Sequence, residues 1–422
     1  MKILLINPPI YDFAAYDFWM KPLGLLYISS LLKKEKHKVY LLDVVDRLDN
    51  YFREIKNDSL GRGKLKFVKV EKPKILEKIP GKFKRYGLPK RVIFERVKEF
   101  KPEVVMVSCS MTYWYLGLIE IREIINSLEN KPILILGGIY PSLLPEHAKE
   151  LGFERVYPIG EKYIKEIDFK IPDHFGLFPL PDYSHYSRLN YVALSTSVGC
   201  PFSCPYCATP YLYEKKEEKE EEQVVDEIYY FYKKGITKFA FYDDALLIPP
   251  ERFINLCEEI KERGIKAYFF TPNGLHPRFI SKEIARLMYE AGFKEPRLSL
   301  ETSDEIIQEK FYLKTSNYEY VKAIENLLKV GYKKGEIYTY LLVGVPGISY
   351  ESVEKSILFV GKVGVKVSLA EFSPIPKTPM DENLPDPLLT NNTVYYRYKN
   401  EEDKMIKVKK LAKEVNKKAT NF

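Results

Sequence analysis

Ser197-Val198-Gly199-Cys200-Pro201-Phe202-Ser203-Cys204-Pro205-Tyr206-Cys207 sets three cysteines in a C-x3-C-x2-C spacing. The chain has 422 residues and five cysteines, so three of the five fall within eight positions. Thiolates are soft ligands suited to iron–sulfur clusters and zinc. A structural zinc site closes with four ligands, and so does a fully protein-held iron–sulfur cubane. Here the nearest histidine is His185 and the next cysteine is Cys257, so no fourth ligand is close in sequence. Three thiolates on a four-iron cluster leave one iron open, and an open metal position is where chemistry happens. A zinc knuckle, or a redox pair within Cys204-Pro205-Tyr206-Cys207, is the competing reading. The missing fourth ligand weighs against it.

Downstream of the motif the pattern alternates. Helical spacing at 221–233, 251–263, 282–291, 318–330 and 352–363 is interleaved with short apolar runs at 238–242, 267–270, 297–300, 337–343 and 366–372. With the run 191–195 before the cysteines, six strand–helix units appear. Polar residues gather where these strands end: Asp243, Asp244, Asn273, Ser299, Glu301 and the turn Gly344-Val345-Pro346-Gly347. In barrels of parallel strands, functional residues cluster at those ends. Cys257 falls on the apolar side of its helix and reads as core.

The first 160 residues alternate in the same way. Strands are expected at 2–6, 39–42, 104–107 and 133–136, and helices at 23–34, 92–100 and 116–128, with 46–90 long, basic and irregular. This is an α/β pattern that predicts a Rossmann-like, doubly wound parallel sheet with ligands beyond its carboxyl edge. Cys109 lies at that edge and reads as core. Residues 161–190 read as a linker, with His174 and His185 as linker histidines. After Met380 come a Pro- and Asn-rich connector and a charged helix at 400–418 with seven lysines. The expected organisation is 1–160, 161–190, 191–380 and a short tail, 381–422.

The cysteine motif, with Tyr206 before its third cysteine, resembles that of the radical S-adenosylmethionine (SAM) superfamily. The resemblance implies a partial (β/α)6 TIM-type barrel over 191–380. It implies a [4Fe-4S] cluster on Cys200, Cys204 and Cys207, with SAM at the open iron. Tyr206 would then lie beside the adenine, Asp244 near the SAM amine, and Ser299 and Glu301 toward the ribose or sulfonium. Gly344 and Pro346 would belong to a turn packed against the adenine. Tyr242-Asp243-Asp244 stands where the family often has Gly-Gly-Glu, and cobalamin-type members often carry Asp-Asp there.

In the first domain, Ile6-Asn7-Pro8-Pro9, Lys21-Pro22-Leu23-Gly24-Leu25, Ser108-x-Ser110 and Leu136-Gly137-Gly138-Ile139-Tyr140-Pro141 resemble the cobalamin-binding domain found before many radical SAM modules. That resemblance implies a corrinoid near Ser108, Ser110, Gly137 and Gly138. It would bind without a protein histidine ligand, because the D-x-H-x-x-G motif is absent. The implied reaction is reductive cleavage of SAM to a 5′-deoxyadenosyl radical, then cobalamin-dependent methylation of an unactivated carbon. A low-potential donor such as ferredoxin or flavodoxin is the implied partner. Alternatives are a cobalamin-independent rearrangement or cyclisation, tRNA or protein methylthiolation, and a non-catalytic iron–sulfur protein. The absence of extra cluster cysteines in the first domain weighs against methylthiolation. The strand-end polar set weighs against a non-catalytic role.

Composition narrows the setting. A 45% hydrophobic content supports packed cores. No stretch reads as a membrane span, and the opening apolar run stops at Asn7, too short for a signal segment, so a cytoplasmic protein is expected. Lys, Glu, Ile and Tyr are favoured and only seven Met occur, the bias of a heat-adapted source. Between Arg62 and Lys101, 15 Lys and Arg face 4 Glu. Such an excess suits an anionic substrate or partner, or is a solvated lysine-rich insertion.

Overall fold

Ile3-Leu4-Leu5-Ile6 is apolar at every position rather than at alternate ones, the mark of a strand covered on both faces. All four side chains are fully buried. The strand opens the first of two units into which the computed structural model divides; the described residues are 1–53, 58–311 and 314–420. The first unit takes Met1–Asn190, Tyr211–Tyr213 and Glu382–Asn391, and the second takes Tyr191–Pro210, Glu214–Asp381 and the chain from Asn392.

Five strands form the first unit's main sheet: β1 (Lys2–Asn7), β2 (Lys38–Asp43), β3 (Val104–Ser108), β4 (Ile133–Gly138) and β5 (Val156–Pro158). All pairs are parallel and the order is β5-β4-β3-β1-β2. This is the flavodoxin-like doubly wound order, whose switch point falls between β1 and β3. Ile6 lies opposite Val107 and Ser108 opposite Gly137, so Asn7-Pro8-Pro9, Ser108 and Gly137-Gly138 end on one edge. Helices α1 (Leu23–Lys34), α2 (Lys90–Phe100) and α3 (Tyr115–Asn126) pack their apolar stripes inward. Gly117 of α3 is required by packing, since a Cβ there would come within 2.0 Å of the Pro9 carbonyl oxygen. β5 was not expected, because three residues carry no periodic signal.

Residues 46–90 are not irregular throughout. Phe67–Lys69 and Lys84–Tyr86 join Ile10–Asp12 in an antiparallel sheet, and Gly63–Lys64 pairs with Tyr16–Asp17. Buried ion pairs anchor this layer: Arg47–Asp17 at 2.5 Å and Arg85–Glu120 at 2.6 Å. Trp19 is core, with Nε1 donating to the Leu60 carbonyl at 2.9 Å. Arg62, Arg85, Lys90, Arg91 and Arg96 each face a carboxylate, so part of the basic excess is neutralised within the chain.

Residues 161–190, expected as a linker, fall in this unit. Asp182 accepts from Ser29 Oγ at 2.6 Å and pairs with Lys33 (2.6 Å) and His185 (2.8 Å), while the Tyr186 hydroxyl donates to Asp43 at 2.7 Å. His185 is therefore buried and hydrogen-bonded rather than a loose linker histidine. His174 accepts from Gly176 N at 3.0 Å and caps a local turn.

Besides a short antiparallel pair, Ser197–Val198 with Glu217–Glu218, the described residues of the second unit carry six parallel strands: β6 (Val192–Leu194), β7 (Lys238–Phe241), β8 (Tyr268–Phe270), β9 (Arg297–Glu301), β10 (Tyr338–Val343) and β11 (Lys366–Glu371). They pair in parallel as β6-β7-β8 and β9-β10-β11, with bridges at Phe269–Phe293 and Leu275–Leu298 between the triplets. Helices α4 (Glu221–Lys233), α5 (Pro250–Glu262), α6 (Lys282–Ala291), α7 (Asn317–Lys329) and α8 (Tyr350–Val363) alternate with them. Local sequence sets their ends. Ser316 and Glu319 form a capping box on α7, and Gly292 closes α6 at φ +99°. Phe239, Phe241, Phe269 and Phe293 pack together in the core with neighbouring centroids 5.3 to 5.9 Å apart. The lysine-rich helix α9 (Glu402–Thr420) packs on α8 and β11. Asn416 donates to Val367 O at 2.8 Å and accepts from Val367 N at 2.7 Å, so it pairs the outer edge of β11 as a neighbouring strand would.

Candidate active site

Beyond Leu194 at the end of β6 the chain turns into the cysteine loop, and two buried charges fix its base. Asp243, just past β7 and 2% exposed, accepts from Thr196 N (3.0 Å), Thr196 Oγ1 (2.7 Å) and Ser197 Oγ (2.7 Å). Arg252 of α5 donates to Thr196 Oγ1 (2.9 Å), Thr196 O (3.2 Å) and Lys219 O (2.5 Å). Both charges thus spend their hydrogen bonds on the loop, which is how buried charges are tolerated. Gly199 stands at φ +80°, and a Cβ there would meet the Lys215 carbonyl oxygen at 2.6 Å. Only glycine lets the loop lie this close to its neighbour.

Cys200, Cys204 and Cys207 follow as free thiols, Cys204 buried and the other two half-buried. Burial pushes the Cys200 thiol up to about 11, and also raises Cys204. Cys207 is set by a turn in which its N–H donates to Cys204 O at 3.0 Å and its thiol to Thr209 Oγ1 at 3.3 Å. Among the described residues, no three or more His, Cys, Asp or Glu side chains converge on a single metal-ion position. A cubane does not need such convergence, because each thiolate takes its own iron.

Opposite the thiols lies a cation. Lys314 Nζ is 3.0 Å from Glu301 Oε1, with both side chains largely buried. Burial opposes its charge, but Glu301 and the thiols of Cys204 and Cys200 outweigh burial and raise its pKa. Glu301 sits at φ +65°, where a β-bulge shifts the register of β9 against β10 between Ser299 and Glu301. A non-glycine residue in this left-handed conformation costs about 1–2 kcal/mol, a strain found at sites where a side chain must be re-aimed. Asp244 is half-buried beside Cys200. Burial first, then the Asp243 charge, lifts its carboxyl to about 6 against a hydrogen bond from Thr209.

Among the described residues, His276 Nδ1 and Thr315 Oγ1 are buried without hydrogen-bond partners, and the Tyr206 hydroxyl has the Cys204 thiol alone beside it. Tyr206 packs edge-on to Phe311 at 5.1 Å, with its hydroxyl beside the Cys204 thiol. His276 stacks on Phe202 at 4.8 Å, and Thr315 adjoins Lys314. More than about 90% of buried polar groups in folded proteins are satisfied. Such unpartnered atoms beside a loop of thiols fit a site that encloses a polar ligand and a soft-metal cluster.

The expected residues are distributed unevenly. Asp244 lies near the Cys200 thiol, and Glu301 and Tyr206 near that of Cys204. Asp243 instead turns inward as a loop anchor. Ser299 is buried beside Gly274, where a Cβ would meet Ser299 Oγ at 2.6 Å. Gly344 takes φ +78° and packs near Met405 and Tyr350, while Pro346 is exposed. In the first unit, Gly138 takes φ +91° and lies so close to Ser108 that a Cβ would meet its Oγ at 2.6 Å; Ser110 is exposed. Sequence reasoning missed Lys314, Arg252, Thr196 and His276. One lysine among many has no distinguishing pattern, and the other three are identified only by their partners. Cys109 and Cys257 are buried, and burial raises both thiols, Cys109 to about 12.

Residues 194–360 match the model of the radical SAM superfamily. The chain is 24% identical over 391 residues to an uncharacterized methyltransferase, PH0819, of Pyrococcus horikoshii, covering 86% of this chain and 79% of that one. Its fold is similar to that of the radical SAM methyltransferase TsrM from Kitasatospora setae, solved with cobalamin and a [4Fe-4S] cluster (TM-score 0.66, 17% identity, 90% of this chain and 76% of that one). It is also similar to the cobalamin-dependent radical SAM enzyme OxsB, solved with aqua-cobalamin and SAM (TM-score 0.61, 14% identity, 95% and 56%).

Proposed function

We propose that this chain, whose residues 194–360 form a radical SAM domain, is an enzyme that cleaves SAM reductively at a [4Fe-4S] cluster and methylates an unactivated carbon with the help of a corrinoid. The observation that carries the reading is the loop of three free thiols with Lys314, Glu301 and Asp244 set around it. When bound, the cluster and SAM supply a 5′-deoxyadenosyl radical, and the corrinoid supplies the methyl group. The chain's own residues supply ligands, orientation and exclusion of water.

Cys200, Cys204 and Cys207 would hold three irons and leave the fourth to SAM. Lys314 offers an ammonium to the SAM carboxylate, and Asp244 a carboxylate to its amine. Glu301, re-aimed by its bulge, and Ser299 suit the ribose side, and Tyr206 the adenine, with the Gly344–Pro346 turn beyond. Asp243 and Arg252 do not touch SAM and keep the cysteine loop in place. In the first unit the flavodoxin-like strand order puts a crevice at the β1/β3 switch point. Ser108, Ser110, Gly137 and Gly138 stand on that edge, and Gly138 leaves the backbone room to approach a corrin edge. No helix of the described residues is long and apolar enough to cross a membrane. The reading includes a cytoplasmic, heat-adapted enzyme supplied with electrons by a ferredoxin- or flavodoxin-type donor.

The test is an anaerobic ultraviolet–visible spectrum and corrinoid assay on protein made with cobalamin supplied and its cluster reconstituted. Stoichiometric corrinoid beside the iron–sulfur absorption is the expected result. An iron–sulfur spectrum without retained corrinoid would overturn the methylation reading and leave cobalamin-independent hydrogen abstraction.

A further inference from the structure

His276 follows β8 in the turn that begins at Thr271, and it is 5% exposed. Its ring lies 4.8 Å from Phe202, inclined by 25°, and Phe202 sits between Cys200 and Cys204 in the cysteine loop. Burial, with Lys314 and then Arg278 nearby, keeps the imidazole neutral. A neutral imidazole has one donor nitrogen and one acceptor nitrogen. Among the described residues Nδ1 has no hydrogen-bond partner, and the backbone of Asp244 lies close enough to act on the ring. The side chain therefore stacks on the cysteine loop and presents a buried nitrogen that no group among the described residues satisfies. Thr315 Oγ1 is likewise buried without a hydrogen-bond partner among the described residues.

We propose that His276 is a positioning residue of the SAM site: it braces Phe202 of the cysteine loop, and its Nδ1 hydrogen-bonds to bound SAM. The inference rests on the proposed function above. A phenylalanine at this position keeps the stack on Phe202 and cannot make the Nδ1 hydrogen bond. A glutamine keeps one donor and one acceptor on a side chain of similar reach.

The experiment compares wild type, His276→Phe and His276→Gln, all with reconstituted clusters. It reads iron content, SAM affinity by anaerobic equilibrium dialysis, and the change in the reduced cluster's electron paramagnetic resonance spectrum when SAM is added. The expected result is full iron in all three and SAM affinity about tenfold weaker in His276→Phe. The SAM-induced spectral change should be lost at concentrations that saturate wild type, and His276→Gln should recover most of the affinity. A purely packing role would leave the affinity of the cluster-loaded fraction unchanged. His276→Phe with full iron and wild-type affinity overturns the inference. If His276→Phe does not fold, His276→Gln decides instead: affinity and spectral change near wild type support the inference, and iron loss with unchanged affinity of the loaded fraction overturns it. Failure of wild type itself to bind SAM would overturn the proposed function rather than the role of His276.

Discussion

Replacing Asp243 with asparagine separates two adjacent carboxylates that the sequence presents as a pair. Asp243 holds Thr196 N, Thr196 Oγ1 and Ser197 Oγ at 3.0, 2.7 and 2.7 Å, all inside the fold. An asparagine keeps one oxygen and turns an amide toward donors that then lack an acceptor. A buried hydrogen bond to a charged group is worth about 1.5–3 kcal/mol. Arg252 also loses the charge facing it across Thr196. The expected cost is about 3 kcal/mol, which for a unit of this size lowers the melting temperature by roughly 6–12 °C. Asp244 should behave in the opposite sense. Its carboxyl is raised to about 6, so at neutral pH the fold holds an ionised group it disfavours, and Asp244→Asn should be neutral or stabilising. Its loss should appear instead as weaker SAM binding. The assay is anaerobic scanning calorimetry with iron determination on both variants. An Asp243→Asn transition within about 2 °C of wild type, with full iron loading, would refute the anchoring role, and so would a larger thermal loss in Asp244→Asn.

Other outcomes follow from the same geometry. Lys314→Met strands the buried Glu301 carboxylate at a cost of about 3–5 kcal/mol; the double variant with Glu301→Gln should recover most of the melting temperature, and both should bind SAM weakly. At Asp182, burial opposes ionisation, but hydrogen bonds from His185, Lys33, Ser184 and Ser29 outweigh it and hold the carboxyl far below the usual range. That stability is present above the ordinary carboxylate pKa near 4 and is lost as pH falls below it, so acid titrations of wild type and Asp182→Asn should converge at low pH and separate above about pH 4. Asn416→Ala opens the outer edge of β11 and should cost about 1–2 kcal/mol, read as faster hydrogen exchange at Val367.

The parts that could be read from sequence share one property: their signal is local. Ile3-Leu4-Leu5-Ile6 declares a two-sided strand and C-x3-C-x2-C declares a loop of closely spaced thiols, so both α/β units and the thiol loop followed from short windows. What could not be read depends on partners far along the chain. Lys84–Tyr86 is a strand because it pairs with Ile10–Asp12 and because Arg85 meets Glu120. His185 is buried because Ser29 and Asp182 receive it. Lys314 becomes distinctive only once β9 aims Glu301 at it, and Asp243 and Asp244 differ only in which way each side chain turns. No residue-type pattern separates those cases.

The central claim is tested most directly by incubating the reconstituted, dithionite-reduced protein with SAM and measuring 5′-deoxyadenosine by mass spectrometry. The protein with Cys200, Cys204 and Cys207 all replaced by alanine serves as control. The account predicts 5′-deoxyadenosine from wild type and none above background from the control. Wild-type protein carrying a full iron–sulfur complement that yields no more 5′-deoxyadenosine than the control would contradict it.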